Sequence, residues 1–324
     1  MPTISVVMSV YNDAQRVQAS VASILGQTFT DFEFIVINDG STDGTGEILD
    51  LLAAQDGRLQ VIHQENTGLT KALIRGCATA KGEFIARQDA DDYSLPDRLG
   101  QQLALINSNS RLGFVSCTTQ YIGPQGEPLS IIKRSETPEH ATQELLHHRQ
   151  GPPAHGSVLF RSSVYDAVSG YRPEFYFAQD SDLWLRMAQK VQFASVPAVL
   201  YVHRREMGST SGLNRVIQAR FGELGQLCKT ARLQGKSEVP YLEEAQHLRT
   251  QILTRRGQKE TPDRRALARA AYFLGSQLLT NGDRRAIGYL WQTVSLCPTH
   301  WRSWCRLAQS LVQFPFAKVH SLTY

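Results

Sequence analysis

Residues 83–92 read Glu83-Phe84-Ile85-Ala86-Arg87-Gln88-Asp89-Ala90-Asp91-Asp92. The apolar run from Phe84 to Ala86 predicts a buried strand. Three carboxylates follow within four positions, and Tyr93-Ser94-Leu95-Pro96 then reads as a turn into a helix. Crowded carboxylates repel one another unless a cation neutralises them. A hard divalent ion such as Mg²⁺ or Mn²⁺ takes one or two of them and completes its shell with substrate phosphates. Ligands of open α/β sheets collect at this end of the strands. The stretch therefore fits a metal–diphosphate site, or alternatively a solvated acidic turn that caps the next helix.

Strand and helix signals alternate around it. Positions 4–10 are apolar and β-branched, and Tyr11-Asn12-Asp13 breaks them. Val17, Val21, Ile24 and Leu25 then recur at helical spacing up to Gly26. Positions 32–37 form a nearly continuous apolar strand ending in Asn38-Asp39-Gly40-Ser41-Thr42-Asp43-Gly44-Thr45. A third strand spans 59–63, and a helix spans about 69–79. Strands alternating with helices of this length predict an α/β fold with a doubly wound, mostly parallel, Rossmann-like sheet. A helix over 98–107 and a strand over 114–121 follow. Positions 123–156 are less regular and read as substrate-facing. A short strand over 157–160, a helix over 182–190 and a strand over 193–202 complete the pattern.

From about Gly212 the periodicity is helical, over 213–234, 241–256, 263–280, 284–296 and 300–313. The expected organisation is a domain over 1–212 and a basic helical region over 213–324. A break at Cys297-Pro298 hints at one tetratricopeptide-like helix pair. Trp301, Trp304, Cys305, Ala308, Leu311 and Val312 share one face of the last helix, for which packing onto a neighbouring helix is the first reading and a membrane interface the second.

Composition is globular, 42% hydrophobic and 20% charged over 324 residues. Residues 1–200 hold 15 Lys+Arg and 22 Asp+Glu, net −7, and residues 201–324 hold 19 and 8, net +11. A basic tail suits an anionic surface, and it equally suits an Arg-rich soluble region. No signal peptide or uncharged run of about 18 apolar residues is evident. Five scattered cysteines without Cys-x-x-Cys fit reduced thiols in a cytoplasmic protein, free or peripheral to a membrane face. No Gly-x-Gly-x-x-Gly follows the first strand, which argues against a dinucleotide oxidoreductase. No module pattern for nucleic acid is present.

Asp39 ends the second strand, where its carboxylate can accept from a base N–H or a ribose hydroxyl, or cap a helix. Asp180 and Asp182 open a helix. One of them reads as a cap, and an ionised carboxylate facing a substrate hydroxyl would serve as a general base. Lys71, Arg75 and Arg87 are candidate phosphate contacts; Arg87 can instead organise the carboxylates.

Taken in order, several short motifs resemble the family 2 inverting glycosyltransferases with a GT-A fold, over residues 3–211. They are Val6-Val7-Met8-Ser9-Val10-Tyr11-Asn12, Ile37-Asn38-Asp39-Gly40-Ser41-Thr42-Asp43, Asn66-Thr67-Gly68, the opening stretch with Gly82, Pro96-Asp97-Arg98, His155-Gly156-Ser157-Val158-Leu159-Phe160-Arg161 and Gln179-Asp180-Ser181-Asp182-Leu183-Trp184-Leu185-Arg186. The resemblance implies a nucleotide-sugar donor, a UDP-sugar foremost, and a glycan, lipid-linked or polysaccharide acceptor of the kind used in cell-envelope assembly. Asp39 would meet the uracil edge, with Val10 and Tyr11 lining the base pocket. Asp89 and Asp91 would form the Asp-x-Asp pair for Mn²⁺ or Mg²⁺, with Asp91 the direct ligand and Asp89 nearer the ribose and sugar. Asp92 would cap the helix after Pro96. Asp180 would be the base, with His155 and Gln179 on the acceptor side.

Two departures stand out. The Glu-Asp element of the family reads Gln179-Asp180 here. The late His is either His203 or replaced by Glu206, in Tyr201-Val202-His203-Arg204-Arg205-Glu206, where Arg204 and Arg205 are candidates to cover the diphosphate. The competing expectation is a nucleotide-sugar-binding module without activity, its basic tail docking a membrane or a protein.

Overall fold

The structure is a computed structural model that describes residues 1–135, 137–207, 215–255 and 264–314. In chain order the elements are β1 (Ile4–Val10), α1 (Val17–Leu25), β2 (Phe32–Asp39), α2 (Thr45–Ala53), β3 (Leu59–Gln64), α3 (Leu69–Thr79), β4 (Phe84–Asp89), β5 (Tyr93–Ser94) and α4 (Arg98–Asn107). There follow β6 (Leu112–Ile122), β7 (Pro128–Ile132), α5 (Pro138–His148), a 3₁₀ turn (His155–Ser157), β8 (Leu159–Arg161), α6 (Ser162–Ala167), α7 (Gln179–Ala188) and β9 (Gln192–Arg204). The helices α8 (Arg215–Leu233), α9 (Val239–Arg255), α10 (Arg264–Thr280), α11 (Ala286–Leu296) and α12 (Trp301–Gln313) end the described chain.

The strand order is β3-β2-β1-β4-β8-β6-β9-β5, with β7 beside β6. The first four strands are parallel, whereas β8 runs antiparallel to β4 and β6, and β5 antiparallel to β9. Alternation along β1 shows why helices cover both faces. Ile4, Val6, Met8 and Val10 pack with Val17, Val21 and Ile24 of α1, and Val7 points the other way, into the core that holds Leu73 of α3. Ser9 is level with Asp89, and Val10 with Asn38. The parallel register thus delivers Tyr11, Asp39 and Asp89 to one edge.

Two compact units are present. One comprises 1–119, 131–203 and 217–256, the other 120–130, 204–216 and 257–324. This division differs from the expected one at 212. Helices α8 and α9 belong to the first unit because Phe221, Leu224, Cys228 and Ala245 share a core with Phe175 and Phe177. The irregular section expected over 123–156 contains strand β7 and helix α5.

Candidate active site

The loop after β4 is built from below by buried polar groups. Gln88 is buried, and its amide donates to the carbonyls of Asp89 (3.1 Å) and Asp92 (3.0 Å) and to Ser20 Oγ (3.1 Å). Both ends of the acidic loop are thereby held to one side chain. Arg87 is fully buried. It donates to the Val7 carbonyl, to Asp89 Oδ1 at 3.0 Å and to His155 Nε2 at 3.4 Å. Expected among the nucleotide contacts, Arg87 instead organises a carboxylate, because its donors are spent beneath the site.

The three carboxylates differ in what engages them. Asp89 takes Arg87 on one oxygen and the Gly156 N–H on the other, at 3.1 Å. Asp92 is buried, and its Oδ2 lies 2.8 Å from both the Tyr201 hydroxyl, which donates to it, and His203 Nδ1. The expected capping role of Asp92 is corrected here: Asp97 occupies the N-cap position of α4, and Asp92 ties β9 to the loop. Among the described residues, no other side chain hydrogen-bonds or ion-pairs with the Asp91 carboxylate. Desolvation, then the charges of Asp92 and Asp89, push Asp91 up to about 7 against the pull of His203.

Tyr201 is the residue sequence reasoning missed. Fully buried, its oxygen accepts from the Asp89 N–H at 3.3 Å while its hydroxyl donates to Asp92. The buried Arg98 guanidinium sits 5.5 Å from its ring centroid and donates to the carbonyls of Arg87 (2.9 Å) and Gly156 (2.6 Å). A methyl on Gly156 would collide with the Tyr201 hydroxyl and lie 2.9 Å from the Asp89 nitrogen, so only glycine fits there. The single available signal was that Tyr201 precedes His203 by two, on the same face of a strand.

Asp39 is buried at the end of β2. Its Oδ1 accepts from Gln64 (2.6 Å) and from the Thr67 N–H (2.9 Å), and its Oδ2 from the Gly68 N–H (2.9 Å). Asp39 thus holds the Asn66-Thr67-Gly68 turn and keeps lone-pair capacity on Oδ2. Gly40, at φ +79°, has Asn66 N where a Cβ would stand, so this turn also requires glycine. Tyr11 is 51% exposed just past Val10, which is buried. Asn12 adopts φ +51° and stitches the two loops, its N–H donating to Ser41 Oγ (2.9 Å) and its Oδ1 accepting from the Thr42 N–H (2.8 Å).

At α7, Asp182 and Asp180 separate. Asp182 is buried and bound to Arg186 at 2.7 Å. Asp180, in the first helical turn, has no hydrogen bond or ion pair among the described residues. Neither caps the helix by its side chain. The negative charge of Asp180 is felt at His155 and Tyr171, which lie 2.6 Å apart from Nε2 to the hydroxyl oxygen. Desolvation and the Arg87 charge hold His155 down to about 3, so its ring is neutral. Gln179 is buried beside Asp180.

Sequence comparison assigns the family. The glycosyl transferase family 2 model matches residues 5–168. The chain belongs to glycosyl transferase family 2. This glycosyltransferase is 30% identical over 193 residues to the putative glycosyltransferase EpsE of Bacillus subtilis, covering 58% of this chain and 68% of EpsE. Other relatives are matched over as little as 20% of their length. Its GT-A-type fold is similar to that of the mannosyltransferase PcManGT of Pyrobaculum calidifontis in complex with GDP-Man and Mn²⁺ (TM-score 0.55, 19% identity, 96% of this chain and 85% of that one). It is equally similar to S. aureus TarS 1-349 in complex with UDP (TM-score 0.55, 14% identity, 97% and 91%).

Of the two candidates for the late histidine position, His203 lies against Asp92, its Nδ1 2.8 Å from Oδ2. Glu206 lies beyond the end of β9. Arg204 donates to the Pro124 carbonyl (2.8 Å), and Arg205 lies over the Tyr121 ring at 4.6 Å. Among the described residues no three His, Cys, Asp or Glu side chains group to hold a metal alone. A partly buried, unengaged Asp91 beside Asp89 nevertheless fits a hard divalent cation whose remaining ligands are substrate oxygens.

Proposed function

We propose that the chain moves a sugar from a nucleotide-sugar donor, a UDP-sugar foremost, to a hydroxyl of a glycan, lipid-linked or polysaccharide acceptor, with inversion at the anomeric carbon. One observation carries this reading. Of the acidic side chains in the family motifs, Asp91 and Asp180 alone have carboxylates not engaged by another residue among the described residues, Asp91 accepting only from its own N–H. The others are already held by partners within the protein, Asp89 by Arg87 and the Gly156 N–H and Asp39 by the Asn66-Thr67-Gly68 turn.

Asp91, with Asp89, would hold Mn²⁺ or Mg²⁺. When bound, the cation supplies charge neutralisation for the departing nucleoside diphosphate. Arg87 and the Gly156 N–H keep Asp89 oriented, and Tyr201 and His203 fix Asp92 so that the loop keeps one shape. Val10 and Tyr11 would line the base pocket, and Asp39 would present Oδ2 to the base edge. Asp180 takes the proton from the acceptor hydroxyl. The oxygen attacks the anomeric carbon in line as its bond to the diphosphate breaks. Neutral His155 does not compete as a proton acceptor, and with Gln179 it would flank the acceptor. Arg204 and Arg205 are candidates to cover the diphosphate.

A thermal-shift panel of UDP-, GDP- and dTDP-sugars, with and without Mn²⁺, tests the donor claim. Stabilisation is expected for one nucleotide class and only with metal. A flat panel would refute the donor site.

A further inference from the structure

The last described helix presents three distinct faces. Ser303, Leu307 and Ser310 are buried. Trp301, Trp304, Leu311 and Val312 are exposed, Trp301 by 67% and Val312 by 81%, as are Cys305 and Ala308 between them. At about 100° per residue these six positions fill a continuous apolar arc of about 120°. Arg302, Arg306, Gln309 and Gln313 form the third face, alongside that arc. The first reading, in which the tryptophan face packs on a neighbouring helix, is thus overturned. The small Ser303 and Ser310 face inward instead, and among the described residues nothing covers the contiguous apolar stripe, which has no thermodynamic reason to stay in water.

Charge selects the occupant. Positions 264–314 hold seven arginines and one acidic residue, Asp283, which is bound to Arg285 at 2.6 Å. Every arginine of this stretch except the half-buried Arg306 is exposed. Among the described residues no helix is long and apolar enough to cross a membrane. An amphipathic helix with tryptophan on its apolar arc and arginine beside it lies in the plane of a bilayer. The apolar side enters the headgroup–acyl boundary, and the guanidinium stems extend toward lipid phosphates.

We infer that α12 docks the protein on an anionic lipid bilayer, Trp301, Trp304, Leu311 and Val312 entering the interface and Arg302 meeting phosphates. This inference is independent of the transfer reaction, since none of these residues belongs to the acidic site.

Flotation of the full chain with phosphatidylcholine vesicles, alone or with about 30% phosphatidylglycerol, tests it. The protein is expected to float with the anionic vesicles only and to be released by salt. Lipids brominated in the acyl chain should quench its tryptophan fluorescence, a measurement that needs no variant. Trp301→Ser combined with Val312→Ser should weaken binding by about tenfold or more, with an unchanged melting temperature. The inference fails if the wild type stays with the aqueous phase, if quenching is absent, or if the double variant floats as the wild type does. It also fails if the wild type is a concentration-dependent dimer that the double variant turns into a monomer, because the stripe then binds a second copy.

Discussion

At the acidic end of the sheet, side chains from distant parts of the chain are buried against one another. Tyr201 reaches Asp92 across 109 positions and Asp89 across 112, and Arg87 reaches His155 across 68. In α10–α12 several side-chain hydrogen bonds return three or four positions back, as Thr293 does to Tyr289 and Ser310 to Leu307, and tryptophans face water. Buried polar networks fix geometry at the cost of desolvation, which suits groups that must be held to fractions of an ångström. Exposed apolar surface fixes nothing by itself and suits contact with something outside the chain.

The contrast can be broken in several ways. The largest expected effect is Asp180→Asn: turnover should fall by about 10²–10⁴-fold while donor binding persists. Loss of donor binding as well would place Asp180 in the network rather than outside it. Asp91→Asn should abolish the metal-dependent part of donor stabilisation. It should also change the stability of the metal-free protein with a definite sign. A carboxyl raised from 3.8 to about 7 favours the fold below pH 4 and loses that contribution as pH rises through 7. Asp91→Asn should therefore raise the metal-free melting temperature at pH 8 and leave it unchanged near pH 4. An equal shift at both values would remove the electrostatic account.

Tyr201→Phe deletes one hydroxyl from the network, leaving Asp92 short of a donor. A stability loss of about 1–3 kcal/mol is expected, together with weaker Mn²⁺ binding in a titration of the folded variant. Unchanged metal affinity would show that the hydroxyl serves packing alone. Smallest is Trp301→Ser on the helical side, expected to move stability by about 0.5 kcal/mol or less. A larger drop would mean that the face is covered.

Much of the site was legible because its signals are local. An apolar run ending in carboxylates marks the end of a strand, and parallel strands carry such ends to one edge, as Asp39 and Asp89 show. Helices α8 to α12 were read within about two residues of their ends for the same reason, periodicity being a property of neighbours. Three readings turned on distant partners. Arg87 looks like a phosphate contact until His155 and the Val7 carbonyl claim it, and Asp92 looks like a cap until Tyr201 and His203 arrive from β9. The division at 212 ignored a core shared between Phe175 and Phe221.

By itself, then, the amino-acid sequence determined the strand–helix alternation, the acidic turn and the family, because hydrophobic period and short motifs are written along the chain. Only the tertiary structure decided which carboxylates are engaged and which face of α12 is buried. Those outcomes depend on which groups meet across a hundred residues, and desolvation and hydrogen-bond partners exist only once they have met.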